Sequence, residues 1–290
     1  MFMIIDGSGI INTQYYGQLK LNPMMRMAAS DASISFIRKL VQLYNPSYLA
    51  VVLDDGRENT FRKELYPEYK AQRIETPIEL KTESRIFREK LDTMHIRRLS
   101  HPRYEADDFA ASIVNTFPTE QFVLISKDQD YLQLISSRTY LWLYKTEEQI
   151  DKLTNALGPK YRVNKKLYCF TTELCKENYG LYPWQIPDLK GLNGDVSDNI
   201  PGVKGLGAAA IPLLKRYGAI EDMYLELEYV PEKTVKDAWK KYLKVNRSKY
   251  DLLIKQKSNA FLSKNLATMK KDLPVPNKLE YYTIPNTIFV

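Results

Sequence analysis

The stretch YLAVVLDD, residues 48–55, decides the fold. An apolar run from Tyr48 to Leu53 stops abruptly at two acids, Asp54 and Asp55. So short a run, with no polar alternation, reads as a strand buried on both faces. Two other stretches share the design. MFMIID, residues 1–6, is a short apolar strand ending at Asp6, and FVLISKDQD, residues 122–130, ends in Asp128 and Asp130. Helical patterns lie between them. ASISFIRKLVQLY, residues 32–44, spaces Ile34, Ile37, Leu40, Val41 and Tyr44 along one helix face. Further helices are expected from Thr76 to about Thr93 and over YEADDFAASIVNTF, residues 104–117. DGSG after the first strand reads as a turn, YLQLI (131–135) as helical, and TYLWLY (139–144) as another strand. Strands alternating with helices predict an α/β fold, with a mainly parallel central sheet flanked by helices. Such sheets bind ligands outside the carboxyl ends of their strands. Three of the expected strands carry aspartate there.

The whole chain narrows the function classes. Its 290 residues, 44% hydrophobic and 27% charged, suffice for a full core. The apolar runs are too short to cross a bilayer and no secretory signal is read, so a cytoplasmic protein without a membrane partner is expected. Cys169 and Cys175 lack metal-type spacing and read as core thiols. The two histidines, His95 and His101, read as surface residues, too few for a histidine-based triad or zinc site. A net charge of +7 points to a polyanionic partner. Gly158-Pro159 reads as a break between a domain over 1–158 and a mostly helical region over 159–290. The tail, residues 274–290, is expected to pack across the surface.

Against that basic charge stands a set of acids: Asp6, Asp55, Glu105, Asp107, Asp108, Asp128, Asp130, Asp195 and Asp198. Each alone has a structural reading as a first-turn acid, a cap or a polar turn. Together they suggest more. Glu105 and Asp108 share a helix face, Asp128 and Asp130 sit at one strand end, and Asp195 and Asp198 have helical spacing. Clustered carboxylates repel one another and take up protons unless a cation intervenes. Hard divalent ions such as Mg²⁺ or Mn²⁺ suit oxygen ligands, and an acid count this high suggests two metals.

Two basic features complete the picture. TFRKELYPEYKAQR, residues 60–73, carries Arg62, Lys63, Lys70 and Arg73, with Tyr66 and Tyr69 as faces for base stacking. PGVKGLGAAAIPLLKRYG, residues 201–218, has the layout of a helix-hairpin-helix, its second helix starting near Gly207. Gly202, Gly205 and Gly207, with Val203, Lys204 and Leu206 between them, would let backbone approach phosphate without reading bases. Pro212 is expected to distort the first turns of that helix.

These residues resemble the 5′-nucleases, the family of the 5′→3′ exonuclease domain of bacterial DNA polymerase I and the free-standing phage flap endonucleases. Six blocks occur in the family's order: IIDGSG, VVLDD…TFRKELYPEYKAQR, YEADD, LISKDQDYLQLI, GDVSDNIPGVKGLGAAA…LLKRYG and AFLSKNLATMKKDLPVP. They cover residues 3 to about 276. The resemblance implies a PIN-like nuclease fold with a helical arch over about 71–95 and a helix-hairpin-helix region over about 184–218. It assigns a first metal to Asp6, Asp55, Glu105, Asp107 and Asp108, and a second to Asp128, Asp130, Asp195 and Asp198. Asp55 is preferred to Asp54 for its spacing to the following Phe-Arg. Lys70 and Arg73 resemble the basic pair on the scissile phosphate, with Arg62 and Tyr69 nearby on DNA. Carbonyls at Val203 and Leu206 would hold a potassium ion bridging to a DNA phosphate.

The activity implied is hydrolysis of 5′-flap or junction DNA, and of 5′ ends, leaving 5′ phosphate and 3′ hydroxyl. The enzyme is expected to be monomeric and to use two Mg²⁺ ions, with Mn²⁺ able to substitute. RNA primers on DNA are further substrates, in a replication or repair setting. One departure is plain: Asn12 and Thr13 stand where the family has an aromatic-arginine pair, and Tyr15 and Tyr16 are expected to stack in its place. Two rival readings are a DNA-junction-binding module without turnover, and an RNA-cleaving nuclease of related acidic α/β type.

Overall fold

The computed structural model describes every residue except 22, 23, 25, 26, 57 and 290. The chain forms two compact units, one of Met1–Phe61, Ile74–Thr171 and Lys270–Val290, the other of Arg62–Arg73 and Thr172–Met269. Among the described residues no helix is long and apolar enough to cross a membrane.

The first unit is built on a six-stranded sheet of β1 (Phe2–Asp6), β2 (Tyr48–Val52), β3 (Arg98–Leu99), β4 (Phe122–Ser126), β5 (Thr139–Tyr144) and β6 (Leu167–Phe170). The strand order is β3-β2-β1-β4-β5-β6. The first five strands run parallel and β6 lies antiparallel on β5. All five residues of β1 are buried, as a strand covered on both faces requires. The helices are α1 (Gly7–Leu19), α2 (Ala29–Tyr44), α3 (Phe61–Leu65, starting at the unit boundary), α4 (Ile78–Thr93), α5 (Ala106–Thr116) and α6 (Glu147–Leu157). The apolar stripe read on the second of these is the face that packs: Ile34, Ile37, Leu40 and Val41 are buried with Met3, Ile5, Val51, Leu80, Phe87 and Leu91. Each such side chain contributes roughly 1.5–3 kcal/mol by leaving water.

Four expectations change. DGSG is no turn, because α1 starts at Gly7 with Asp6 as its N-cap. Its glycines mark close approach instead: a Cβ at Gly7 would lie 2.6 Å from Val51 Cγ1, and one at Gly9 would lie 2.4 Å from Asp6 Oδ2. YLQLI falls in a 3₁₀ segment, Gln129–Leu134, and not an α-helix. Gly158 ends α6 with φ of 97°, but β6, beyond the expected break, still joins the first sheet. The tail also does more than cover the surface. Tyr282 and Ile288 are fully buried, and the Tyr282 ring lies 5.0 Å from Phe2 and 5.9 Å from Phe117.

The second unit is helical: α7 (Thr172–Tyr179), α8 (Ile186–Asn193), α9 (Ala210–Tyr217), α10 (Ile220–Tyr229), α11 (Glu232–Ala238), α12 (Ser248–Lys255) and α13 (Lys257–Ala267). Leu192, Val203, Leu206, Leu213, Leu214, Met223, Trp239 and Leu253 form its core. Gly207–Ala209 is a 3₁₀ turn leading into α9, so the turn ahead of Pro212 is tightened as expected.

Candidate active site

In the first unit the chain runs outward from β1 through β2 to β3, then returns to β4 on the other side of β1. The crevice beyond the carboxyl ends of β1 and β4 is therefore the switch point where α/β sheets bind ligands. Register brings the acids there, since Ile5 pairs with both Val51 and Ile125. Asp6 is 6% exposed. Its Oδ1 accepts from Gly9 N at 2.7 Å and its Oδ2 from Ser126 Oγ at 2.6 Å. Ser126 Oγ in turn accepts from Asp128 N at 3.0 Å, and Asp128 Oδ1 accepts from Asp130 N at 2.9 Å. Burial pushes the Asp6 carboxyl up to about 6, against its hydrogen bond from Ser126, and the charges of Asp54 and Asp128 push the same way.

Sequence spacing selected Asp55; the structure places Asp54 beside Asp6 instead. Asp54 N donates to Ser8 Oγ at 2.8 Å, and Asp54 Oδ1 accepts from Ala106 N at 2.9 Å, at the start of α5. Asp55 turns toward Arg88, 3.7 Å away. On α5, Glu105 is the N-cap and Asp107 is partly exposed, whereas Asp108 is fully buried. The Asp108 oxygens accept from Glu105 N at 3.1 Å and Lys270 N at 2.8 Å. This carboxylate caps a helix and anchors the tail. Ser8 and Ser126 carried no sequence signal beyond neighbouring an acid. Tyr131 also escaped notice: it is 2% exposed and its hydroxyl has no hydrogen-bond partner among the described residues. Burial, together with Asp6, Asp107, Asp54 and Asp128, raises its phenol well above the usual range.

The departure near Asp6 also has a local account. Asn12 Nδ2 donates to Ser8 O and Thr13 Oγ1 to Gly9 O, both at 2.8 Å, so these side chains fold back onto α1. Tyr15 packs against the core and Tyr16 is 49% exposed, their ring centroids 5.2 Å apart. Only Tyr16 presents an open face. Both histidines are exposed. The free thiols Cys169 and Cys175 are each pushed to about 11 by burial.

In the second unit each aspartate of GDVSDN faces a cation. Lys190 Nζ lies 2.6 Å from Asp195 Oδ2, while Ser197 N and Oγ donate to Asp195 Oδ1 at 2.8 and 2.7 Å. Burial acts to raise the Asp195 carboxyl, but Lys190 and Ser197 together hold it near 2. Asp198 pairs with Arg73 and lies 3.6 Å from Lys70 Nζ. It also accepts from Tyr69 OH at 3.2 Å, and its carbonyl accepts from Lys70 N at 2.9 Å. Lys70 thus holds a left-handed φ of 55° through a backbone bond that fixes its direction.

Two residues expected to contact DNA are buried instead. Arg62 is 1% exposed, its Nε donating to Leu266 O at 2.8 Å and an Nη to Thr268 O at 3.3 Å, so it caps the end of α13. Tyr69 is 3% exposed and has no open face for a base.

The hairpin follows immediately. Asp195 and Ile200 exchange backbone hydrogen bonds at 2.9 and 2.8 Å, which fixes the acids' distance from it along the chain. Gly202, Gly205 and Gly207 have φ of 61°, 86° and 59°. A Cβ at Gly202 would lie 2.2 Å from Gly194 N, whereas one at Gly207 would meet open space. Val203 and Leu206 point their side chains into the core, and Val203 O accepts from Leu206 N at 3.1 Å. Gln256 clamps Lys204, accepting from its N at 2.9 Å and donating to its O at 3.1 Å, and Lys249 Nζ donates to Gly205 O. These hydrogen bonds pin the turn, with Lys204 and Gly207 exposed on it.

Comparison with known proteins bears on both units. The family model "5'-3' exonuclease, N-terminal resolvase-like domain" matches residues 1–165, and "5'-3' exonuclease, C-terminal SAM fold" matches residues 181–287. DNA polymerase I of Bacillus subtilis is 34% identical over 94% of the chain, which spans 28% of that protein's length. A 5'-3' exonuclease of Buchnera aphidicola is 31% identical over 94% of the chain and 83% of its own length. Among solved structures, T5 5'-exonuclease with bound divalent metal ions (zinc) aligns with a TM-score of 0.68 at 22% identity. The alignment covers 93% of this chain and 89% of that one. A T5 flap endonuclease complex with DNA and metal ions aligns at 0.66 and 21% identity, over 93% of this chain and 89% of that one. These two likenesses establish the fold.

Proposed function

Because the chain belongs to the 5'-3' exonuclease family, we propose that it is a metal-dependent, structure-specific 5′-nuclease. It hydrolyses phosphodiester bonds in DNA bearing a 5′ flap or junction and also degrades from 5′ ends. The observation that carries this reading is the gathering of Asp6, Asp54 and Asp128 at the β1/β4 switch point, close enough to raise the Asp6 carboxyl.

The donor set fits a hard divalent cation. Its ligands are carboxylate oxygens, and burial first, then the charges of Asp54 and Asp128, disfavours the ionised Asp6 carboxylate, a cost that a bound cation offsets. Asp6, Asp54, Glu105, Asp107, Asp128 and Asp130 would hold Mg²⁺ or Mn²⁺ from the first unit. A second cation rests on the resemblance to the 5′-nucleases, which assigns it Asp128, Asp130, Asp195 and Asp198. Such ions, when bound, generate a strong nucleophile from water at neutral pH and offset charge on a transferring phosphoryl group.

The chain's own groups divide the remaining work. Ser126 and Gly9 hold the Asp6 carboxylate in place from two sides. Lys70 and Arg73, aligned by Asp198, present positive charge for the scissile phosphate. The hairpin offers Lys204 and glycine backbone to duplex phosphates, and its Val203 and Leu206 carbonyls would hold a potassium ion. α4 lies within the segment assigned to the arch for a single-stranded 5′ end. RNA primers on DNA are proposed as further substrates, and a monomer as the acting species.

A titration of Mg²⁺ against flap, nicked and single-stranded DNA tests the proposal. Cleavage concentrated on the flap and abolished by EDTA is expected. Binding of all three without turnover at any metal concentration would instead fit a non-catalytic junction-binding module.

A further inference from the structure

We propose that Tyr182 and Trp184 form a stacking plate for an unpaired nucleobase, placed beyond the hairpin at the far end of α9. The proposal rests on the DNA-acting reading above. The two rings are nearly parallel, 9° apart with centroids 6.2 Å distant. Both are open to water, Trp184 at 55% and Tyr182 at 39% exposure. Exposed tryptophan is costly to keep in water and is common where an aromatic face meets a partner.

The plate is held rigid from beneath. Gln185 is 3% exposed and accepts from Tyr182 N at 3.0 Å. Its Nε2 donates to Leu214 O at 3.0 Å and to Gly218 O at 2.7 Å, tying the turn to the end of α9. Pro183 between the rings is buried. A base landing there would therefore freeze little side-chain motion.

Charge selects the occupant. Lys176 Nζ sits 4.6 Å over the Tyr182 ring and donates to its hydroxyl at 2.8 Å. Lys215 Nζ approaches the same turn, 2.7 Å from where a Cβ on Gly180 would stand. Aromatic faces edged by lysines match the platforms that bind single strands through base stacking and backbone attraction. The helical path from Gly207 to Tyr217 is about 16 Å long at 1.5 Å per residue. A duplex strand whose phosphate lies on the hairpin would reach the plate about five steps later, at 3.4 Å of axis per step, where its unpaired continuation would present a base.

Binding in EDTA, which prevents cleavage, tests this. The probes are a blunt duplex hairpin and the same duplex with a ten-thymidine single-stranded extension, at the 5′ or the 3′ end. Wild type should bind one extended form more tightly than the blunt form, with quenching of Trp184, which is exposed whereas Trp239 is buried and Trp142 half-buried. Trp184→Ala should lose that preference, about tenfold in Kd, while its blunt-duplex affinity and its thermal midpoint stay near wild type. Trp184→Phe should keep part of it. Equal affinities of Trp184→Ala and wild type for every probe would overturn the plate and leave the nuclease reading standing. So would an equal loss on blunt and extended probes. Wild-type self-association abolished by Trp184→Ala would assign the surface to a second copy and likewise overturn it. Failure of wild type to bind any of the probes would count against both readings.

Discussion

Asp6 carries two opposed demands. The proposed nuclease centre needs its carboxylate ionised, while the metal-free fold buries it and pushes its carboxyl from 3.8 to about 6. Between those values the folded state binds more protons at Asp6 than the unfolded state, so the contribution of Asp6 to metal-free stability is fully present below pH 3.8 and is lost as pH rises through about 6. The difference corresponds to roughly 3 kcal/mol at neutral pH. Asp6→Asn keeps an acceptor for Gly9 N and a partner for Ser126. It is expected to stabilise the protein in EDTA at pH 7 by up to that amount while abolishing cleavage. Urea unfolding in EDTA at pH 4 and pH 7 measures it, with the gain present at pH 7 and nearly absent at pH 4. At this scale the sequence was partly readable. Acids at strand ends announced the centre, but the choice between Asp54 and Asp55 depends on where β2 stops, which a count from Phe61 does not reveal. The orphaned Tyr131 hydroxyl and the buried cap at Asp108 are tertiary facts, invisible until the tail's Lys270 and the 3₁₀ segment are in place.

Among the elements, the strands and the α2 stripe were legible because burial on both faces of a sheet, or on one face of a helix, writes a period into the sequence. α1 was not, because its first turn, Gly-Ser-Gly, has poor intrinsic helix propensity. Tertiary crowding requires those glycines, and the Asp6 cap compensates. The hairpin glycines were read as one motif, yet the structure separates them by job. Gly202 has both a left-handed φ and backbone in the way, so Gly202→Ala is expected to cost roughly 2–4 kcal/mol in unfolding free energy. Gly207 shares the left-handed φ but faces open space, so Gly207→Ala is expected to cost about 1 kcal/mol and to weaken duplex binding more than it weakens the fold. Chemical denaturation beside duplex-binding isotherms distinguishes the two. Similar losses of stability in both variants would refute the division.

For the molecule as a whole, a net charge of +7 combined with a dense set of carboxylates suits a protein that attracts polyanions yet concentrates negative charge at its proposed cleavage site. Backbone grip without base reading predicts DNA affinity that is indifferent to sequence and falls linearly on a log scale with salt, by about 0.9 per phosphate neutralised. Isotherms at several salt concentrations on two unrelated duplex sequences check this, and a strong sequence preference would contradict it. The break at Gly158-Pro159 was misread at this scale because a helix-ending Gly-Pro looks the same whether a linker or another strand of the same sheet follows. The central claim is that the carboxylates at the β1/β4 switch point, Asp54 among them and Asp55 not, perform metal-dependent cleavage. Its most direct test is single-turnover cleavage of one 5′-flap DNA by wild type, Asp54→Asn and Asp55→Asn, in Mg²⁺ and in EDTA. Wild type should cut only with Mg²⁺, Asp54→Asn should be slower by at least about a hundredfold, and Asp55→Asn should stay within about tenfold of wild type. Cleavage that survives EDTA, or an Asp54→Asn variant as fast as wild type, would contradict it.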